Sequence, residues 1–228
     1  MAEKLTKEAL MALAKSFCQA QSKARHRELF GVTDGKAAGT YVEHLFQALL
    51  LDQFDIAGGS SAKGIDLPAI NTDIKVTSVK QPQSSCPFKS AREKVYGLDY
   101  NLLLFVYEKK DDAKKKAAML NFVCCAFIDQ SRTADYQTTY GLQGILQRNG
   151  NRDDVFAFLE DRDLPGDEIT WNQLADEIMK KPPTQGYLTV SNALQWRLQY
   201  GRLSRLNHLC RESRKYFEPC LKRCCKEP

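Results

Sequence analysis

Glu43, Asp66, Asp73 and Lys75 are the residues of this chain whose types and spacing could do chemistry together. Six residues separate the two aspartates, in Gly-Ile-Asp-Leu-Pro and Thr-Asp-Ile-Lys-Val-Thr-Ser, and Lys75 follows Asp73 by two. In an extended strand that spacing projects Asp73 and Lys75 from one side. Gathering two carboxylates and an ammonium group is unfavourable without compensation, because the acids repel and every desolvated charge is costly. A divalent cation resolves the repulsion. Hard oxygen donors favour Mg²⁺, which keeps several waters and accepts one or two carboxylates plus phosphate oxygens. The expected ligands are Asp66, Asp73, Glu43 and the main-chain carbonyl of Ile74. Such an ion suits phosphodiester cleavage, where Lys75 would orient the attacking water or stabilise the developing negative charge. Glu43 would complete a second-metal site or align the water. The plainer alternative is that Asp66 caps a turn while Asp73 and Lys75 form a surface pair.

Position depends on the surrounding elements. Gly35 to Leu51 sets Val42, Leu45, Phe46 and Leu49 on one helical face, with Glu43 beside it. Short strands are expected over Gln53–Ile56 and Gly64–Leu67, flanking the Gly- and Ser-rich loop Ala57–Lys63. Thr72 to Thr77 alternates polar and apolar residues, as a half-buried strand does, and lies close enough behind Leu67 for a hairpin. After a polar loop, Pro87 fits the first turn of a helix stopped by Gly97. Asn101–Tyr107 and Asn121–Ile128 are apolar runs of the kind buried on both faces of a sheet, with Cys124 and Cys125 as core residues. Lys109–Lys116 reads as a solvated connection. The order predicts an α/β sandwich with a central mixed sheet flanked by helices.

In this arrangement the chain resembles the PD-(D/E)xK nuclease superfamily, and in particular type II restriction endonucleases. The resemblance runs over roughly Gly39 to Tyr107: an acid on a preceding helix, an acid strand, then Asp-x-Lys. Leu67 and Pro68 follow Asp66, so the nominal Pro-Asp order is absent. What the resemblance implies is a restriction-endonuclease-like core in which Asp66, Asp73, Lys75 and Glu43 cut DNA with Mg²⁺. Other chemistries lack their motifs: His26, His44 and His208 are scattered, and no phosphate-binding GxxxxGK[ST] loop is present.

Residues 1–150 are expected to form this core with its N-terminal helices, and residues 151–228 a helical DNA-recognition subdomain. Formal net charge is +5, and residues 187–228 carry nine Lys or Arg against three Asp or Glu; this +6 leaves about −1 for the rest. A basic cluster suits a polyanion, although a solvated basic helix has the same composition. Helices are expected over Asp153–Asp161, Trp171–Lys181 and Val190 to about Cys210. The last two look like a helix-turn-helix or winged-helix module with Leu174, Ile178, Leu194 and Leu198 as core. Ser191, Asn192, Gln195 and Arg197 would then face base edges, and Arg202 and Arg205 phosphates. The alternative is a helix packed on the core with its arginines solvated. Gln81, Gln83 and Ser84, directly after the Asp-x-Lys strand, are further candidate DNA contacts.

Hydrophobic residues make up 43% of the chain and charged residues 27%, an ordinary globular composition. Neither a signal peptide nor a membrane span is apparent, so a cytoplasmic protein with reduced thiols is expected. His208, Cys210, Cys220, Cys224 and Cys225 crowd the C-terminus but lack the paired CxxC knuckles of common zinc sites. The combined reading is a Mg²⁺-dependent homodimeric restriction endonuclease acting on double-stranded DNA alongside a cognate DNA methyltransferase. A repair nickase or junction resolvase on the same fold, or a non-catalytic DNA-binding protein, are the alternatives.

Overall fold

The computed structural model describes residues 4–54, 65–85, 88–190 and 197–201. The architecture is mixed α/β, and the chain divides into two compact units. One comprises residues 1–84, 102–127 and 200–228; the other comprises 85–101 and 128–199.

In the first unit, strands β1 (Thr72–Ser78), β3 (Asn101–Asp112) and β4 (Ala117–Ile128) form a sheet in the order β1-β3-β4. Helices α1 (Lys7–Gln21) and α2 (Gly35–Gln53) pack with it. Alternation along β3 sends Leu103, Phe105 and Tyr107 into the core shared with α1 and α2. There Phe17, Phe46, Phe105 and Phe122 meet edge to face, with Phe46 and Phe105 centroids 5.0 Å apart. Leu102, Leu104 and Val106 are also fully buried, so the apolar run is covered on both faces as its composition predicts. Cys124 and Cys125 are buried in β4. β3 continues through Lys109 to Asp112 because it pairs with the start of β4, leaving only 113–116 as the connecting turn.

The second unit holds α3 (Ala91–Tyr96), α4 (Tyr136–Gln147), α5 (Arg152–Asp161) and α6 (Glu168–Lys180) around Val95, Leu142, Ile145, Val155, Leu159, Leu174 and Ile178. Gly141 lets the Phe158 ring lie against α4, where an added Cβ would come within 2.4 Å of it. Helix starts are written into the sequence: Asp34, Asp135 and Asp167 cap α2, α4 and α6, while Ser90 and Asn151 open full capping boxes.

Two expectations change in this unit. Val190 does not begin a recognition helix: Thr189 and Val190 form β5, antiparallel to β6 (Arg197–Gln199). Leu198, expected beside Leu174 and Ile178 in the core of a helix-turn-helix module, is buried in β6, whereas Leu174 and Ile178 are buried in the cluster formed with Val95, Leu142, Val155 and Leu159. The physical reason is that backbone partners outside the segment draw it straight. Tyr187 and Leu188 donate N–H groups to the Arg132 and Ala134 carbonyls, and Val190 N–H donates to Asp135 Oδ1. Extended pairing thus satisfies groups that a helix would satisfy locally. Helix α4 is an addition that the hydrophobic pattern did not announce. Ser191, Asn192, Leu194, Gln195, Arg202, Arg205 and the C-terminal cysteine cluster lie outside the described residues, as do Asp55 to Gly64.

Candidate active site

Site geometry begins at a one-bridge hairpin. Leu67 and Thr72 exchange both backbone hydrogen bonds, at 2.9 and 3.1 Å. Pro68–Ile70 makes a 3₁₀ turn between them, and Asn71 closes it in the left-handed region at φ 48°, where asparagine is tolerated. In this antiparallel register the next pair outward is Asp66 opposite Asp73, on one face of the hairpin. The short connection seen in the sequence therefore brings the two acids together.

Local bonds hold them there. Asp66 Oδ2 accepts the Ile74 N–H at 2.7 Å, and Lys75 Nζ lies 2.5 Å from Asp73 Oδ2. Asp73 is buried at 5% exposure, Lys75 is half-buried, and the Ile74 side chain is in the α1/α2 core. Because Ile74 faces that core, alternation sends Asp73 and Lys75 to the other side of β1.

Helix α2 supplies the third acid. It packs on β1, with Gly39 so close that an added Cβ would stand 3.4 Å from the Val76 carbonyl. Glu43 is one turn farther along the same helical side. Its carboxylate accepts from Gln47 Nε2 at 3.4 Å, and it is coupled to Asp73 and Lys75 through their charges rather than by hydrogen bonding. Gln47 is a site neighbour that the sequence reading passed over, although its position four residues after Glu43 is the signal that would have found it.

The acids perturb one another. Asp66 is pushed up to about 7, first by burial and then by its hydrogen bond with the Asp73 carboxyl; the Ile74 N–H opposes the rise, and the charges of Asp73 and Glu43 add to it. Burial also raises Glu43, with Asp73 adding and Lys75 and His44 opposing. A single nearby amine leaves this negative cluster undercompensated, a condition that favours either a proton or a cation. Among the described residues, no three acidic, histidine or cysteine side chains already converge around an ion position.

Beyond β1, Gln81 is exposed, and Gln83 and Ser84 are half-buried within β2 (Gln83–Ser85). Ser84 Oγ is hydrogen-bonded to Tyr200 Oη at 2.8 Å. Arg197 is exposed on β6. No described helix is long and apolar enough to cross a membrane.

Comparison with known proteins covers nearly the whole chain. The family profile described as type II restriction enzyme NspV matches residues 4–211. The type II restriction enzyme NspV of Nostoc sp. (strain ATCC 29411 / PCC 7524) is 53% identical over 199 residues, which span 87% of this chain and 90% of that relative. No solved structure matches. With the family profile spanning both the hairpin of Asp66 and Asp73 and the helix of Glu43, and a relative 53% identical over most of both chains, the chain belongs to the NspV family of type II restriction enzymes.

Proposed function

We propose that this chain hydrolyses both strands of a specific double-stranded DNA site in a Mg²⁺-dependent reaction that leaves 5′-phosphates. It works as a homodimer matching a two-fold symmetric site, beside a methyltransferase that protects the host's own copies. The observation that carries this reading is the opposition of Asp66 and Asp73 across the Leu67–Thr72 bridge, with Lys75 on Asp73 and Glu43 within reach of their field.

The residues suit a hard divalent cation. Their donors are all oxygen, and Asp66 has a proton affinity raised by burial and by the neighbouring Asp73 carboxyl. Asp66, Asp73 and the Ile74 carbonyl would hold Mg²⁺, with Glu43 on its outer side. When bound, the ion supplies positive charge to the phosphorus oxygens and makes water a better nucleophile near neutral pH. Lys75, anchored by Asp73, orients the incoming water and offsets charge growing on the phosphate. Asp66 can gain or release a proton near neutrality, where its affinity lies. Gln81 and Gln83 follow directly on the Asp-x-Lys strand and supply amides for the duplex, while the Ser84 hydroxyl is engaged by Tyr200.

Incubating phage DNA with the protein and Mg²⁺ should yield a fixed set of bands whose ends carry 5′-phosphates, and chelation should abolish it. Smearing, nicking alone or selective cutting of branched DNA would point instead to the nickase or resolvase alternative. A gel shift without cleavage would leave only the binding protein.

A further inference from the structure

The segment that follows the candidate catalytic strand is tied down residue by residue. Ser78 and Gln81 form an antiparallel bridge. The Thr77 hydroxyl lies 3.2 Å from the Gln81 carbonyl and 3.1 Å from that of Gln83, and Val79 N–H donates to the Tyr107 carbonyl at 2.8 Å. Tyr200, far off in sequence, closes the arrangement. Its N–H donates to the Pro82 carbonyl at 2.7 Å, and its hydroxyl meets Ser84 Oγ at 2.8 Å. Gly201 continues the contact, since an added Cβ there would lie 3.7 Å from the Pro82 ring.

Tyr200 is fully buried, and Thr77 nearly so. A buried phenol loses water from its hydroxyl and must regain a partner, so a ring needed only for packing would be simpler as phenylalanine. Here the hydroxyl is used on Ser84, only nine residues beyond Lys75 in the chain. The backbone of 79–84 is thereby fixed while the Gln81 side chain stays exposed. A segment held in one conformation presents one pattern of contacts, whereas a segment free to re-pack can form substitute contacts with a wrong sequence, so rigidity widens the gap between right and wrong sites.

We infer that Tyr200 is a positioning residue: by its hydrogen bonds to Pro82 and Ser84 it holds residues 79–84 in the one conformation that distinguishes the cognate DNA site from near-cognate ones. The inference rests on the nuclease reading of Asp66, Asp73 and Lys75. Tyr200→Phe keeps the ring and removes only the hydroxyl, and Ser84→Ala removes the other end of the bond. Once the site has been read by sequencing the cut ends, kcat/KM is measured on oligonucleotides carrying it and on single-substitution variants. Tyr200→Phe should lower the cognate to near-cognate ratio by about 3- to 10-fold, the range of one lost hydrogen bond. Ser84→Ala should do the same, and the double variant should go no further. Melting curves serve as the folding control, and Ser84→Ala alone decides the matter should Tyr200→Phe fail to fold. An unchanged ratio, or effects of the two substitutions that add, overturns the inference. Cutting that persists in Asp73→Ala overturns the nuclease reading, and this inference with it, so the two failures are told apart.

Discussion

Asp66 is the residue on which the chemistry of the site can be read by pH. Its proton affinity is raised in the folded chain, from 3.8 to about 7, chiefly by burial and the Asp73 carboxyl. A raised affinity contributes stability that is fully present below the unfolded value and is lost as pH rises through about 7. Without metal, the protein should therefore melt at progressively lower temperature between pH 5 and pH 8 than Asp66→Asn, which carries no titrating charge there. Melting curves in chelator check this; a constant offset between the two proteins across that range contradicts it. Added Mg²⁺ should raise the wild-type melting temperature more at pH 8 than at pH 6, because the ion competes with the proton for Asp66. The pairing of Asp66, Asp73 and Lys75 was legible in the sequence because it is local: a short turn and an Asp-x-Lys spacing determine it. Glu43's coupling to them was only suggested, since it depends on α2 lying along β1 with Gly39 at the close approach.

At the scale of elements, Asp135 carries more than a helix cap. Its Oδ2 accepts the Thr138 N–H and hydroxyl at the start of α4, while its Oδ1 accepts the Val190 N–H that fixes β5. Asp135 is 2% exposed, so Asp135→Ala would strand two buried N–H groups. The expected loss is about 2 kcal/mol or more, from the cap together with an unsatisfied buried donor, measurable by denaturant unfolding. A loss below about 0.5 kcal/mol, the low end for a cap alone, would contradict this double role. The same region shows where sequence reading runs out. Periodicity after Val190 suits a helix, yet the carbonyls of Arg132 and Ala134 draw 187–188 into extended pairing, and that partner lies some fifty residues back, a separation no local window contains. α4 escaped notice for a different reason: Thr138 and Thr139 fill buried positions where an apolar stripe would have announced a helix. By contrast β3 and β4 declared themselves, because strands buried on both faces need no partner's pattern to be recognised.

For the molecule as a whole, membership of the NspV family fixes the class of enzyme, and the chain's charge agrees with a polyanionic partner. Cutting both strands of a two-fold symmetric site calls for two copies of one active site. Sedimentation at micromolar concentration should accordingly give about twice the 25.8 kDa of one chain, and a monomer that stays monomeric on cognate DNA would contradict the dimer. Affinity for any duplex should fall steeply with salt, as phosphate contacts require. The most direct test of the central claim is Asp73→Ala, assayed on one DNA for both binding and cleavage. Removing the acid that opposes Asp66 and anchors Lys75 should cut the cleavage rate by at least about a thousandfold, with duplex affinity within about threefold of wild type. Cleavage at the wild-type rate would show that the reaction takes place elsewhere in the chain.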